Sequence, residues 1–132
     1  MHKVMALDVG TKRIGIALSD YLQVIAIPHS FIPRLPEEKA LEEIYKIAKE
    51  NNVEKIVVGI PKNMDDSIGF QAQDCIDFSQ KIHGFDIILE DERLSSEEAE
   101  SRLKSRKIDF RKNKGLVDME SAAVILEQYL GR

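Results

Sequence analysis

The stretch Lys3–Ser19, KVMALDVGTKRIGIALS, decides the fold. In its first half Val4, Ala6 and Asp8 alternate with Met5, Leu7 and Val9, a period of two with both faces largely apolar. That pattern suits a strand buried in the middle of a sheet. Gly10-Thr11-Lys12 reads as a tight turn, and Ile14, Ile16 and Leu18 then share one face of an antiparallel partner. A third strand is expected through Val24-Ile25-Ala26-Ile27 to Phe31-Ile32, closed by Pro33 and Pro36.

Downstream the period changes. From Glu37, Ala40, Leu41, Ile44, Ile47 and Ala48 fall on one helical face, with Glu42, Glu43, Lys46 and Lys49 opposite. Lys55–Ile60 is a short β-branched run typical of a buried parallel strand, and Pro61–Ser67 is a polar loop. Ile68, Ala72, Cys75, Ile76 and Ile82 predict a second helix stopped by Gly84. Asp86–Leu89 predicts a fifth strand, with Glu90 to Arg93 at its carboxyl end. Ser95 and Glu98 have the spacing of a capping box for a third helix. Asp118 stands where an N-cap would open the last helix, whose apolar face is Met119, Ala122, Ala123, Leu126 and Leu130. The order β-β-β-α-β-α-β-α-α gives an α/β class: three hairpin-linked strands, then parallel ones joined by helices.

The 132 residues suit one domain, 1–132, and exclude a cleft between two lobes of one chain. Aromatics are 6% with no Trp, which argues against a platform for stacked bases as the main function. Cys75 is the sole cysteine, so neither an internal disulfide nor a multi-cysteine metal site can form. With no apolar run near the ~20 residues of a bilayer span and no secretory h-region at the start, no membrane partner and a cytoplasmic location are expected. The net charge of −4 hides an asymmetry. Ser101–Lys114 holds seven Lys/Arg against one Asp, while the rest has 12 basic and 22 acidic residues. Fields are screened beyond ~8 Å in physiological salt, so this strip suits a phosphate backbone locally, or is simply a solvated helix face and loop.

The chemistry-bearing candidates are carboxylates. No nucleophile elbow, zinc-protease helix or P-loop occurs, and His2, His29 and His83 form no recognisable pairing. Asp8 interrupts an apolar central strand near its carboxyl end, where a charge needs a partner or a metal, unless it caps the turn. Glu92 follows the fifth strand, either solvated or functional; Asp118 is either a helix cap or a third acid. Parallel α/β sheets gather functional groups at the carboxyl ends of their strands. Hard divalent cations take a few carboxylates, and two together can activate water and stabilise a leaving oxygen.

Met5–Ala17, MALDVGTKRIGIA, resembles the N-terminal motif of the YqgF/RuvX family. So do Val58–Asp65 (VGIPKNMD), Asp91–Ser96 (DERLSS), and Asp118 with Ser121–Leu126 (SAAVIL), all in family order across essentially the whole chain. The resemblance implies an RNase H-like fold, a five-stranded mixed sheet of three antiparallel and two parallel strands flanked by helices. It implies a nuclease, described for the family as maturing the 5′ end of pre-16S rRNA in the cytoplasm, and earlier as resolving Holliday junctions. The family's three catalytic, metal-holding acids map onto Asp8, Glu92 and Asp118, with Mg²⁺ or Mn²⁺ in a two-metal arrangement. Thr11, Lys12, Arg13, Lys62, Asn63 and Arg93 in the matched blocks, with Arg106, Lys107 and Arg111 of the strip, are expected at the nucleic acid. Structured RNA, or branched DNA, is the implied partner, and a monomer or weak homodimer the implied state.

One departure matters. The related resolvase RuvC has its second acid on the fourth strand, where this chain reads Val57-Val58-Gly59-Ile60, so Glu92 must substitute from the next strand. Asp65 or Asp66 is either an auxiliary ligand or a turn residue. Two other classes share features with the chain: the phosphate-binding hairpin of actin-like ATPases, which needs two such domains, and a catalytically silent RNA-binding module.

Overall fold

In the computed structural model, which describes residues 1–63, 65, 67–92 and 95–131, β1 (Lys3–Val9) turns back into β2 (Arg13–Ser19) and then β3 (Ala26–Pro33). α1 (Glu37–Glu50), β4 (Val53–Ile60), α2 (Phe70–Ser79), β5 (Asp86–Asp91), α3 (Ser95–Ser105) and α4 (Gly115–Leu130) follow. The sheet order is β3-β2-β1-β4-β5, so β1 lies in the middle as its two apolar faces require. β1, β2 and β3 are antiparallel, with Met5 opposite Leu18 and Asp8 opposite Gly15. β4 and β5 run parallel to β1, which places Leu7 beside Val58 and Gly59 beside Glu90.

The alternation along β1 sorts its side chains between two cores. Met5, Leu7 and Val9 join Ile14, Ile16, Ile56 and Val58 beneath Ile44 of α1 and Phe78 of α2. Val4 and Ala6 join Ala17 and Val57 beneath Ala122, Ile125 and Leu126 of α4. Each large aliphatic side chain fully buried this way contributes ~1.5–3 kcal/mol. α3 packs on α4 and makes an outer layer on that face. Asp8 is in phase with Val4 and Ala6 and therefore faces α4.

Four expectations about element ends are corrected. α2 begins at Phe70 and ends at Ser79; Gly84, at φ +88°, turns the chain later, just before β5. β5 extends to Asp91 and so includes Glu90, which is buried. The Ser95–Glu98 capping box does not form: the Ser95 backbone N–H donates to Glu92 Oε1 (3.2 Å), and Glu98 accepts from Arg102 (3.1 Å). Asp118 is not an N-cap, because α4 starts three residues earlier, after Lys114.

Candidate active site

Asp8 lies in a row that crosses the sheet under α4. Gly15 on β2 is its neighbour on one side, and Gly59 on β4, followed by buried Glu90 on β5, continues the row on the other. Both glycines are required by close approach. A Cβ on Gly15 would overlap the carbonyl oxygen of Asp118, so α4 rests on β2 with backbone against backbone. A Cβ on Gly59 would lie 2.6 Å from Cδ1 of Ile125 and 3.4 Å from Cβ of Glu92. With α4 seated here, a side chain at Gly59, acidic or otherwise, would have to displace the tip of Ile125. Glu92 occupies the space beside it from the end of the neighbouring strand.

Glu92 is buried, its backbone N–H bonded to the carbonyl of Ile60 (3.1 Å). One of its oxygens, Oε1, accepts from both the backbone N–H and the hydroxyl of Ser95. Asp118, half-buried in the first turn of α4, accepts from Arg13 Nε at 2.7 Å across 105 residues of sequence. Burial, then Glu92, then Asp118 push the Asp8 carboxyl up from 3.8 to about 7. The three acids thus share one electrostatic environment.

The donor set fits a hard divalent cation, since it offers carboxylate oxygens without His or Cys, and a cation would relieve the repulsion at Asp8. Among the described residues, no three His, Cys, Asp or Glu side chains already stand close enough to hold a metal ion. Asp118 is paired with Arg13, and one oxygen of Glu92 accepts from Ser95.

The expected substrate contacts fall into two groups. Arg13, Arg111 and Lys114 line a cleft with Asp118. Lys107 and Lys104 lie in an adjoining concavity that shares Phe110 and Arg111. Lys62, beyond β4, lines a separate cleft with Asp91, and Asn63 is tied to Ser67 (2.9 Å). Thr11 and Lys12 are exposed at the hairpin turn. Asp65 is exposed, and its Oδ1 accepts from the Ser67 backbone N–H at 3.0 Å, as a turn residue does. Arg93 and Asp66 lie outside the described residues. The basic strip is less free than its composition suggests. Arg102 bridges Glu98 and Glu127, Arg106 binds buried Glu120 at 2.7 Å, and Arg111 pairs with Asp109. Cys75 is a buried thiol against the carbonyl of Val9 (3.4 Å), pushed up to about 12 by that burial and nearby acids, and hence inert.

Sequence reasoning missed Arg34. It is buried, forks onto Asp74 (2.9 Å to each oxygen) and donates to the carbonyl of Gly10 (3.0 Å). Its backbone N–H also bonds the carbonyl of Lys12 (2.9 Å), so one residue grips both ends of the turn that follows Asp8. No local pattern marks it, because its partners come from α2 and the hairpin. Phe110 was also passed over, although an aromatic inside a basic strip was a signal that could have found it.

Comparison with known proteins agrees with this architecture. The T. thermophilus RuvC bound to a Holliday junction superposes with a TM-score of 0.57 at 10% identity, covering 98% of this chain and 94% of that one. A Fowlpox virus resolvase, also solved with Holliday junction DNA, superposes at 0.57 with 10% identity, covering 98% and 97%. These likenesses identify the fold as RNase H-like. A protein of Halothermothrix orenii named "Putative pre-16S rRNA nuclease" is 42% identical over 131 residues, covering 97% of this chain and 94% of its own. One of Clostridioides difficile with the same name is 40% identical, covering 97% and 93%. A family model described as RuvX, Holliday junction resolvase, matches residues 2–132. The chain belongs to the RuvX family.

Proposed function

We propose that this protein is a divalent-metal-dependent nuclease that matures the 5′ end of pre-16S rRNA in the cytoplasm, with Asp8, Glu92 and Asp118 as its catalytic acids. The observation that carries the reading is the buried Asp8 carboxyl, held up to about 7 first by that burial and then by the acids Glu92 and Asp118 brought beside it from elsewhere in the chain. A structural carboxylate is normally paired or solvated; one crowded by like charges at the carboxyl ends of parallel strands is a functional-site signature. The relatives' printed names and the family description support phosphodiester cleavage as the reaction.

Asp8 and Glu92 would hold Mg²⁺ or Mn²⁺, with Asp118 as the third carboxylate. Such cations, when bound, lower the pKa of an attacking water and stabilise charge on the leaving oxygen. Arg13 orients Asp118 and, as a wall of the adjoining cleft, offers a cation to the substrate phosphate. Ser95 fixes the Glu92 carboxylate, and the Arg34 grip on Gly10 and Lys12 fixes the turn after Asp8.

The test is cleavage of a precursor 16S rRNA leader, beside a four-way DNA junction, with Mg²⁺ or Mn²⁺. The parent is expected to cut the leader, and Asp8→Asn to lose at least ~100-fold in rate while remaining folded. Cleavage of the junction alone would make branched DNA the substrate. An Asp8→Asn variant that cuts like the parent at saturating metal removes Asp8 from the site.

A further inference from the structure

The cleft beside Asp118, bounded by Arg13, Glu100, Phe110, Arg111 and Lys114, encloses about 420 Å³. That lies within the range of small-ligand pockets, roughly 300–1,000 Å³. We propose that it is a subsite for one unpaired nucleotide next to the scissile phosphate, with Phe110 stacking on the base and Lys114 meeting its phosphate. The proposal rests on the nuclease reading and names its substrate class: a strand with at least one unstacked base beside the cut.

Phe110 is the decisive residue. The other aromatics near the core have structural partners. Phe78 is buried under the sheet, Phe85 stacks with Tyr45, and Tyr129 packs against the α4 core. Phe31 lies against Gly115. Phe110 is half-buried and belongs to neither core, yet borders both basic concavities. An aromatic face without a core role, flanked by cations, is what proteins use to stack single-stranded bases. Few aromatics are needed when only one base is held.

The charges around it are ordered to match. Lys114 has no ion pair among the described residues, and the partner of Arg111, Asp109, is exposed, so that pair is weak and exchangeable. Glu100 disfavours a phosphate at its own position, which leaves Arg13 and Lys114 to receive it. A base inside a duplex has both faces covered and cannot offer one to Phe110 without being unstacked, so frayed, bulged or single-stranded positions are favoured.

The experiment scans a single-stranded RNA of mapped cleavage position with one abasic residue placed at each site around the cut. Binding by fluorescence anisotropy without metal, and kcat/KM with Mg²⁺, are measured for the parent, Phe110→Leu and Phe110→Tyr. At one position next to the cut, the abasic change is expected to cost the parent about tenfold in both readouts, as loss of one stacked base does. Phe110→Leu should show the same loss with the intact RNA and no further loss with the abasic one. Phe110→Tyr should behave as the parent, and all three should melt alike. If the Leu and abasic losses multiply, or no position responds, the subsite is refuted while the nuclease reading stands. If coupling appears in binding but the cleavage persists unchanged in Asp8→Asn, the subsite stands and the nuclease reading of the acid site falls.

Discussion

At Asp8, burial and two neighbouring acids act in the same direction, and the sign of their effect on stability follows from linkage. The carboxyl is raised from 3.8 to about 7 in the folded chain, so between those values the native state binds more protons than the unfolded one. Stability therefore falls as pH rises from about 4 to about 7, and the whole penalty persists above that. The displacement corresponds to up to ~4 kcal/mol, at roughly 1.4 kcal/mol per pH unit. In metal-free buffer at pH 8, Asp8→Asn should thus melt several degrees higher than the parent, and at pH 4 the two should coincide. Millimolar Mg²⁺ or Mn²⁺ should raise the melting temperature of the parent and leave the Asn variant nearly unmoved. Equal melting at pH 8 would mean that neither burial nor Glu92 and Asp118 raises the Asp8 carboxyl. The position was legible in the sequence because an Asp in an apolar run contradicts its surroundings. Arg34 was not, because nothing local distinguishes a buried guanidinium from an exposed one.

The two glycines beside Asp8 limit how elements pack, and they limit it differently. At Gly15 the obstacle to a methyl group is the backbone of α4 itself, which cannot yield without moving Asp118. At Gly59 it is the tip of one flexible side chain, Cδ1 of Ile125. Overpacking costs ~1–3 kcal/mol in a well-filled core, and the upper end applies where backbone must move. Gly15→Ala should lower the melting temperature strongly and abolish cleavage, whereas Gly59→Ala should do less. Ile125→Val deletes the clashing atom, and alone costs ~0.5–1.5 kcal/mol. In the Gly59→Ala/Ile125→Val double variant the two losses should not add; strict additivity in chemical denaturation would show that the Ile125 contact does not govern Gly59. The elements were readable because period two and period 3.6 are written into residues 3–60. Their ends were not. Asp118 has the chemistry of a cap, but α4 starts where Gly115 lies flat against the ring of Phe31, a contact between segments more than 80 residues apart.

Across the whole molecule the charge pattern was visible in composition, while its availability depended on the fold. The strip from Arg102 to Lys114 carries seven cations in a chain of net charge −4. Folding commits two of them, Arg102 to Glu98 and Glu127 and Arg106 to buried Glu120, while Arg111 is paired only with exposed Asp109. Lys107, Lys112 and Lys114 are exposed and have no ion pair among the described residues. Arg102 and Arg106 tie α3 and the residue after it to α4, while the Arg111 pair is local to the loop; the three lysines are free to displace counterions from a phosphate backbone. Each phosphate neutralised contributes about −0.7 to the slope of log affinity against log salt on single strands, and about −0.9 on duplexes. Replacing Lys107, Lys112 and Lys114 with Gln should therefore flatten that slope by about 2 and weaken unrelated sequences alike, because backbone contacts carry no base information. Arg106→Gln should act differently. It leaves the Glu120 carboxylate buried without its partner, so melting temperature falls while the salt slope changes little. Titrations of one RNA between 50 and 200 mM salt separate the two outcomes. A triple lysine variant with the slope of the parent would assign the binding field to Arg13 and the residues around the acids instead.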